Sequence, residues 1–149
     1  MKSLHHPSDR EAIMNRLGRL SPDSPRKWGR MTAAEMVCHL ADSFRVAMGE
    51  IPCPDRSTLG RRTLVKWLVI YAPLPIPKGK VETAPEMKAT SPHQFDRDLA
   101  TLKEILQRFA DKSLTSEWQA HPAFGKLSGK EWSILGYKHM DHHLQQFGV

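Results

Sequence analysis

Three of the chain's eight histidines fall within five positions near its C-terminal end, in the run Tyr137 to Val149, YKHMDHHLQQFGV. On a helix, His139 and His143 stand one turn apart on one face, because side chains four residues apart stack along the axis. Two imidazoles at that spacing offer two nitrogens to a single ion. At about 100° per residue, Trp132, Leu135, Gly136 and Phe147 share that face, Asp141 and Gln145 point away, and His142 lies on the flank. The pair is therefore predicted to project into the protein interior, where an unpaired polar ring costs free energy. Many interior histidines are satisfied by a backbone carbonyl, a hydroxyl or a water. A metal ion is the other solution.

A third imidazole comes from elsewhere. His39, in AAEMVCHLADSF, lies beside Met36 and Ser43 at the edge of an apolar stripe, so it leans toward the same interior from a facing helix. Three nitrogens at about 2.0–2.1 Å suit zinc, nickel or another borderline divalent ion, and three protein ligands leave positions open for a substrate. His142 is compatible with three roles: a fourth ligand, a group hydrogen-bonded behind the ligands, or a surface residue. His5 and His6 read as part of a mobile N-terminus, His93 as a first-turn residue, and His121, before Pro122, as a loop residue.

Four capping-box signatures place the elements that must carry these histidines. They are Ser8 with Glu11, Thr32 with Glu35, Ser91 with Gln94, and Ser128 with Glu131. Met31 with Met36 and Leu127 with Trp132 suggest hydrophobic staples across two of them, and Pro92 would open the third helix at its first position. Apolar residues three and four apart follow each start. The first helix carries Ile13, Leu17 and Leu20. The second carries Met36, Val37, Leu40, Phe44 and Ala47 and stops near Gly49. The third carries Phe95, Leu99, Leu102, Leu106 and Phe109, and the fourth runs from about Lys130 to the end. No alternating pattern of comparable strength appears, so the expectation is an all-α four-helix bundle in one domain over residues 1–149.

The second and third helices are separated by a long crossover from Glu50 to Thr90, a length that lets consecutive helices run parallel. Within it, LGRRTLVKWLVIYAPLPIPKG predicts one short helix ended by Pro73, with Leu64, Leu68 and Tyr71 lying over the bundle. A membrane-surface contact or a homodimer contact is the other use for that stretch.

Composition narrows the function classes. With 40% hydrophobic and 26% charged residues, the 149-residue chain is ordinary for a globular protein. The Trp67 to Pro77 stretch is too short to span a membrane. MKSLHHPSDREAIM has no apolar signal region, so the cytoplasm is the expected location. Cys38 and Cys53, without a CxxC spacing, read as reduced thiols. The net charge of +6 is dispersed, apart from Arg56, Arg61, Arg62 and Lys66. No aromatic residues interleave with those arginines, which argues against a nucleic-acid surface.

Two stretches resemble a known family. RKWGRMTAAEMVCHLADSFRVAMGE, with its Trp-Gly-x-Met joint, and HPAFGKLSGKEWSILGYKHMDHHLQQFGV, with its His-Pro-x-Phe-Gly joint, are similar to the DUF1569 branch of the DinB-like superfamily, which includes the YfiT-like metal-dependent hydrolases. The resemblance implies an up-down-down-up four-helix bundle around a divalent metal held by a histidine triad. The triad maps onto His39, His139 and His143. Some relatives are thiol S-transferases that use low-molecular-weight thiols and others are hydrolases, whereas DUF1569 members mostly lack an assigned reaction. The resemblance therefore implies a small-molecule substrate, with a low-molecular-weight thiol among the candidates. A non-catalytic binding bundle is the alternative. Glu35 and Glu131 are committed to caps, so no carboxylate is placed as a general base, which favours thiolate chemistry.

Overall fold

Thr32 and Ser128 start the two helices that matter most. In each case the hydroxyl accepts the backbone N–H three residues on, and the glutamate there returns the bond to the cap's own N–H. These two reciprocal caps begin α2 (Ala33–Met48) and α5 (Gly129–Gln146). The computed structural model describes residues 1–78 and 83–149; the crossover positions between them lie outside the description. The remaining helices are α1 (Pro7–Leu17), α3 (Lys66–Ile70), which continues a π-helical turn at Arg61–Val65, and α4 (Phe95–Asp111). A 3-10 turn spans Pro85–Lys88. Among the described residues there is no strand, only an isolated bridge between His121 and Gly125. The fold is all-helical.

The other two predicted caps are not used. Pro7 occupies the first turn of α1 after a His6 cap, because its fixed φ and missing N–H suit that place, and Ser8 instead bonds the His6 ring at 3.0 Å. Helix α4 starts at Phe95 after a Gln94 cap with no side-chain bond, so Ser91 and Pro92 precede the helix, as does His93. Leu20 is buried as expected, but beyond the end of α1.

Residue pairs show how the helices lie together. Leu4 N–H donates to Ser133 O at 3.3 Å and Arg16 pairs with Asp141 at 2.6 Å, setting α1 along α5. Phe44 meets Phe109 at 4.8 Å between ring centroids, and Arg108 pairs with Glu50, setting α2 along α4. Leu40, Leu106, Phe109, Met140 and Leu144 are fully buried where these faces meet, each worth about 1.5–3 kcal/mol relative to exposure. Helix α5 is buried on more sides than its predicted face, with Ile134, Tyr137 and Met140 also inside.

The crossover corrects one expectation. Leu64, Leu68 and Tyr71 are exposed, at 65%, 37% and 40%, and Ile70 is the residue that enters the core. The short helix ends before Pro73 as predicted. Farther on, Met87 joins Val46 and Cys53 in a small apolar cluster that seats the Pro85–Lys88 turn on α2. Cys38 and Cys53 are unpaired and buried, and burial pushes the Cys38 thiol up to about 11.

Candidate metal centre

Helix α2 contributes His39 and helix α5 contributes His139 and His143, and the three rings converge. His139 Nε2 lies 3.0 Å from His39 Nε2 and 3.1 Å from His143 Nε2. One ligand atom from each of the three falls within 4.8 Å of the others, an arrangement compatible with a divalent metal site. Two nitrogens about 2.1 Å from a common ion stand roughly 3.0–3.4 Å apart for angles between cis and tetrahedral, so the observed separations suit that use.

The outer nitrogens decide which way the lone pairs face. His39 Nδ1 lies 2.8 Å from Met87 O, a carbonyl that can only accept, so this nitrogen carries the proton. The carbonyl is held in place by the apolar seat of Met87 and by Asp42, one turn beyond His39. Thr90 donates its N–H at 2.7 Å and its hydroxyl at 2.8 Å to that fully buried carboxylate, and Arg45 pairs with it at 3.0 Å.

His143 is oriented by the same logic. Gln146 Nε2 donates to Trp28 O at 2.7 Å, which turns Gln146 Oε1 toward His143 Nδ1 at 2.8 Å. Gly29 stands at φ 81°, and a Cβ there would collide with the Gln146 amide. Both outer nitrogens are therefore donors, and the inner Nε2 atoms of His39 and His143 present lone pairs. A proton on His139 Nε2 can serve only one of them. A cation in the middle serves all three.

The family comparison bears on this constellation. The family model described as "Protein of unknown function (DUF1569)" matches residues 1–148. The chain belongs to the DUF1569 family. No curated protein and no solved structure matches it.

Electrostatics keep the DUF1569 trio in the form that binds cations. Burial lowers the His39 pKa, with the Met87 carbonyl opposing and the Lys88 charge assisting. Burial, then the neighbouring His143 and His39, hold His139 well below its ordinary value. Burial and His39 push His143 down to about 3. All three rings are neutral at physiological pH, so protons do not compete for the inner nitrogens.

The remaining histidines stand apart from the trio. His142 packs edge-on against Trp28 at 5.9 Å and outside the converging nitrogens. His121 is a loop residue as predicted; its Nδ1 accepts from Ala123 and Phe124 N–H groups, and burial pushes it down to about 4. His5 corrects an expectation, because it is anchored to Ser133 and to Lys112 O, and the buried Leu4 beside it ties the N-terminus to α5. The supporting Gln146, Met87 and Asp42 were not singled out from sequence. Gln146 had a readable signal, three residues after His143 on the same helix; a backbone carbonyl such as that of Met87 has none.

Proposed function

We propose that His39, His139 and His143 hold one divalent metal ion, zinc or nickel, and that this DUF1569 protein is a metal-dependent enzyme acting on a small molecule by thiol S-transfer or hydrolysis. The observation that carries the reading is the inward convergence of three Nε2 atoms, with the outer nitrogens of His39 and His143 committed to carbonyl oxygens. We further propose a single domain over residues 1–149 built as a four-helix bundle of the DinB-like, YfiT-like kind, running up-down-down-up. The side-by-side pairing of α1 with α5 and of α2 with α4 supports that arrangement. No helix among the described residues is long and apolar enough to cross a membrane, and two unpaired buried thiols accord with a reducing, cytoplasmic setting.

A bound divalent ion supplies Lewis acidity that makes a water or a thiol nucleophilic near neutral pH. The chain's own residues supply the rest. Met87 O and Gln146 fix the two outer rings, and burial holds all three neutral. A pocket of about 310 Å³ that includes His39 in its wall gives a small molecule a way in. Glu35 and Glu131 hold helix caps and Asp42 is taken by Thr90 and Arg45, so none is free as a general base. That absence supports thiol transfer over hydrolysis.

Protein purified without a metal-affinity step and analysed by elemental mass spectrometry should carry one zinc or nickel per chain. It should then accelerate a thiol-plus-electrophile or amide substrate relative to His143→Ala. Absence of stoichiometric metal, even after incubation with zinc or nickel, overturns the site. Metal without any such rate difference leaves a non-catalytic binding protein.

A further inference from the structure

The pocket beside His39 has a distinctive charge. Its wall joins the segment entering α2, with Arg30 and Glu35, to the segment before α4, with Lys88, Thr90 and Ser91. Arg30 and Lys88 are exposed, and neither has an ion pair among the described residues. Glu35 is the pocket's one carboxylate, and it is already occupied by the Thr32 N–H at 2.7 Å and the Thr32 hydroxyl at 3.1 Å. The hydroxyl of Thr90 is spent on Asp42. Two cations against one committed anion leave a single positive charge at the entrance. Lys88 and His39 line the same pocket, so the ammonium stands at the approach to the trio.

We infer that this pocket takes a small organic monoanion whose carboxylate sits against Arg30 and Lys88 while its reacting end reaches His39, His139 and His143. The inference rests on the metal reading of the trio and names the class of substrate. At about 310 Å³ the pocket is at the small end of ligand sites, too small for a peptide or nucleic-acid segment. One net positive charge matches a carboxylate better than a dianionic phosphate. Ser91, with no hydrogen bond among the described side chains, offers a hydroxyl to the same group.

Three thiols with the same two-methylene spacer test this: 3-mercaptopropionate, 2-mercaptoethanol and cysteamine, whose far ends are negative, neutral and positive. Full-length protein is loaded with cobalt(II), a spectroscopic stand-in for zinc, and the thiolate-to-cobalt absorption is followed during titration. The expected order of affinity is propionate, then neutral, then amine, with about tenfold between the first two for one partly screened charge contact. Arg30→Glu and Lys88→Glu should each cut the preference roughly threefold to tenfold, and together reverse it. Lys126→Glu, an exposed position outside the pocket with the same change of net charge, should leave the order intact. An unchanged ligand-field spectrum in each variant shows that the trio is preserved. Cobalt uptake with no charge preference, or a Lys126→Glu effect equal to that of Lys88→Glu, overturns the inference while leaving the metal reading standing. Absence of cobalt uptake overturns both.

Discussion

His5 packs against helix α5 and His143 belongs to it, yet the protein treats the two differently. His5 Nε2 lies 2.9 Å from Lys112 O and its Nδ1 lies 2.9 Å from Ser133 Oγ, so both ring nitrogens are served by the chain. Phe109 and Trp118 pack edge-on against its ring at 5.6 and 6.1 Å. At His143 the outer nitrogen is served just as well, by Gln146, but the inner one faces two more imidazole nitrogens. Burial alone therefore does not mark a functional histidine. The mark is a set of lone pairs directed at one point with too few protons to share among them.

The sharpest way to break this comparison is to remove one ring from each place. His139→Ala or His143→Ala should abolish stoichiometric metal, read by elemental mass spectrometry. His5→Ala should retain the metal and lose about 1–3 kcal/mol of stability in urea unfolding, because it strands polar atoms of Ser133 and Lys112. Retained metal in both helix α5 variants would place the trio in the same structural class as His5. A smaller effect is expected one atom farther out. Gln146→Leu should weaken metal affinity by about tenfold to a hundredfold, since it frees the His143 ring to turn, whereas Ser133→Ala beneath His5 should leave affinity unchanged.

The smallest effect concerns acid stability of the metal-free protein. The His121 pKa is pushed to about 4 from an ordinary 6.5. The unfolded chain therefore takes up this proton first as pH falls. The contribution is complete above pH 6.5 and is lost on descending toward 4. Allowing for its partial exposure, roughly 1–2 kcal/mol is at stake. His121→Asn should flatten the acid side of the stability profile by that amount, measured by urea unfolding from pH 4.5 to 7.5. An unchanged slope would mean that His121 titrates freely in the folded state.

Much of the site could be read before the structure because its determinants are local. The caps at Thr32 and Ser128 and the spacing of His139 and His143 are properties of single helices. His39 was reachable because its place at the edge of an apolar stripe limits where its side chain can go. Two of the failures originate in long-range contact and one in local competition. The periodicity of the crossover helix is real, but nothing in it says which side meets a neighbour, and Ile70 was chosen over Leu64 and Leu68 by the surface beneath. Pro7 displaced the Ser8 box because ring geometry outcompeted a hydroxyl bond. His5 was read as mobile because its partners, Lys112 and Ser133, lie more than one hundred positions away.

Gly136 lies one turn before His139, where an added Cβ would stand 2.9 Å from Leu4 Cδ1 and 3.1 Å from Phe44 Cε1. The Phe44 contact is tighter than side chains ordinarily keep, so the missing methyl group lets α5 lie a few tenths of an ångström closer to α2 there. The separation of the histidines is thus gauged by a residue that touches none of them. An alanine at 136 would act as a shim: the Leu4 tip can swing aside, but the Phe44 ring of α2 would have to give by a few tenths of an ångström, one turn from His139. Ion preference depends on cavity dimensions, so for the metal proposed above this joint is a place where ion choice would drift through substitutions that leave His39, His139 and His143 intact.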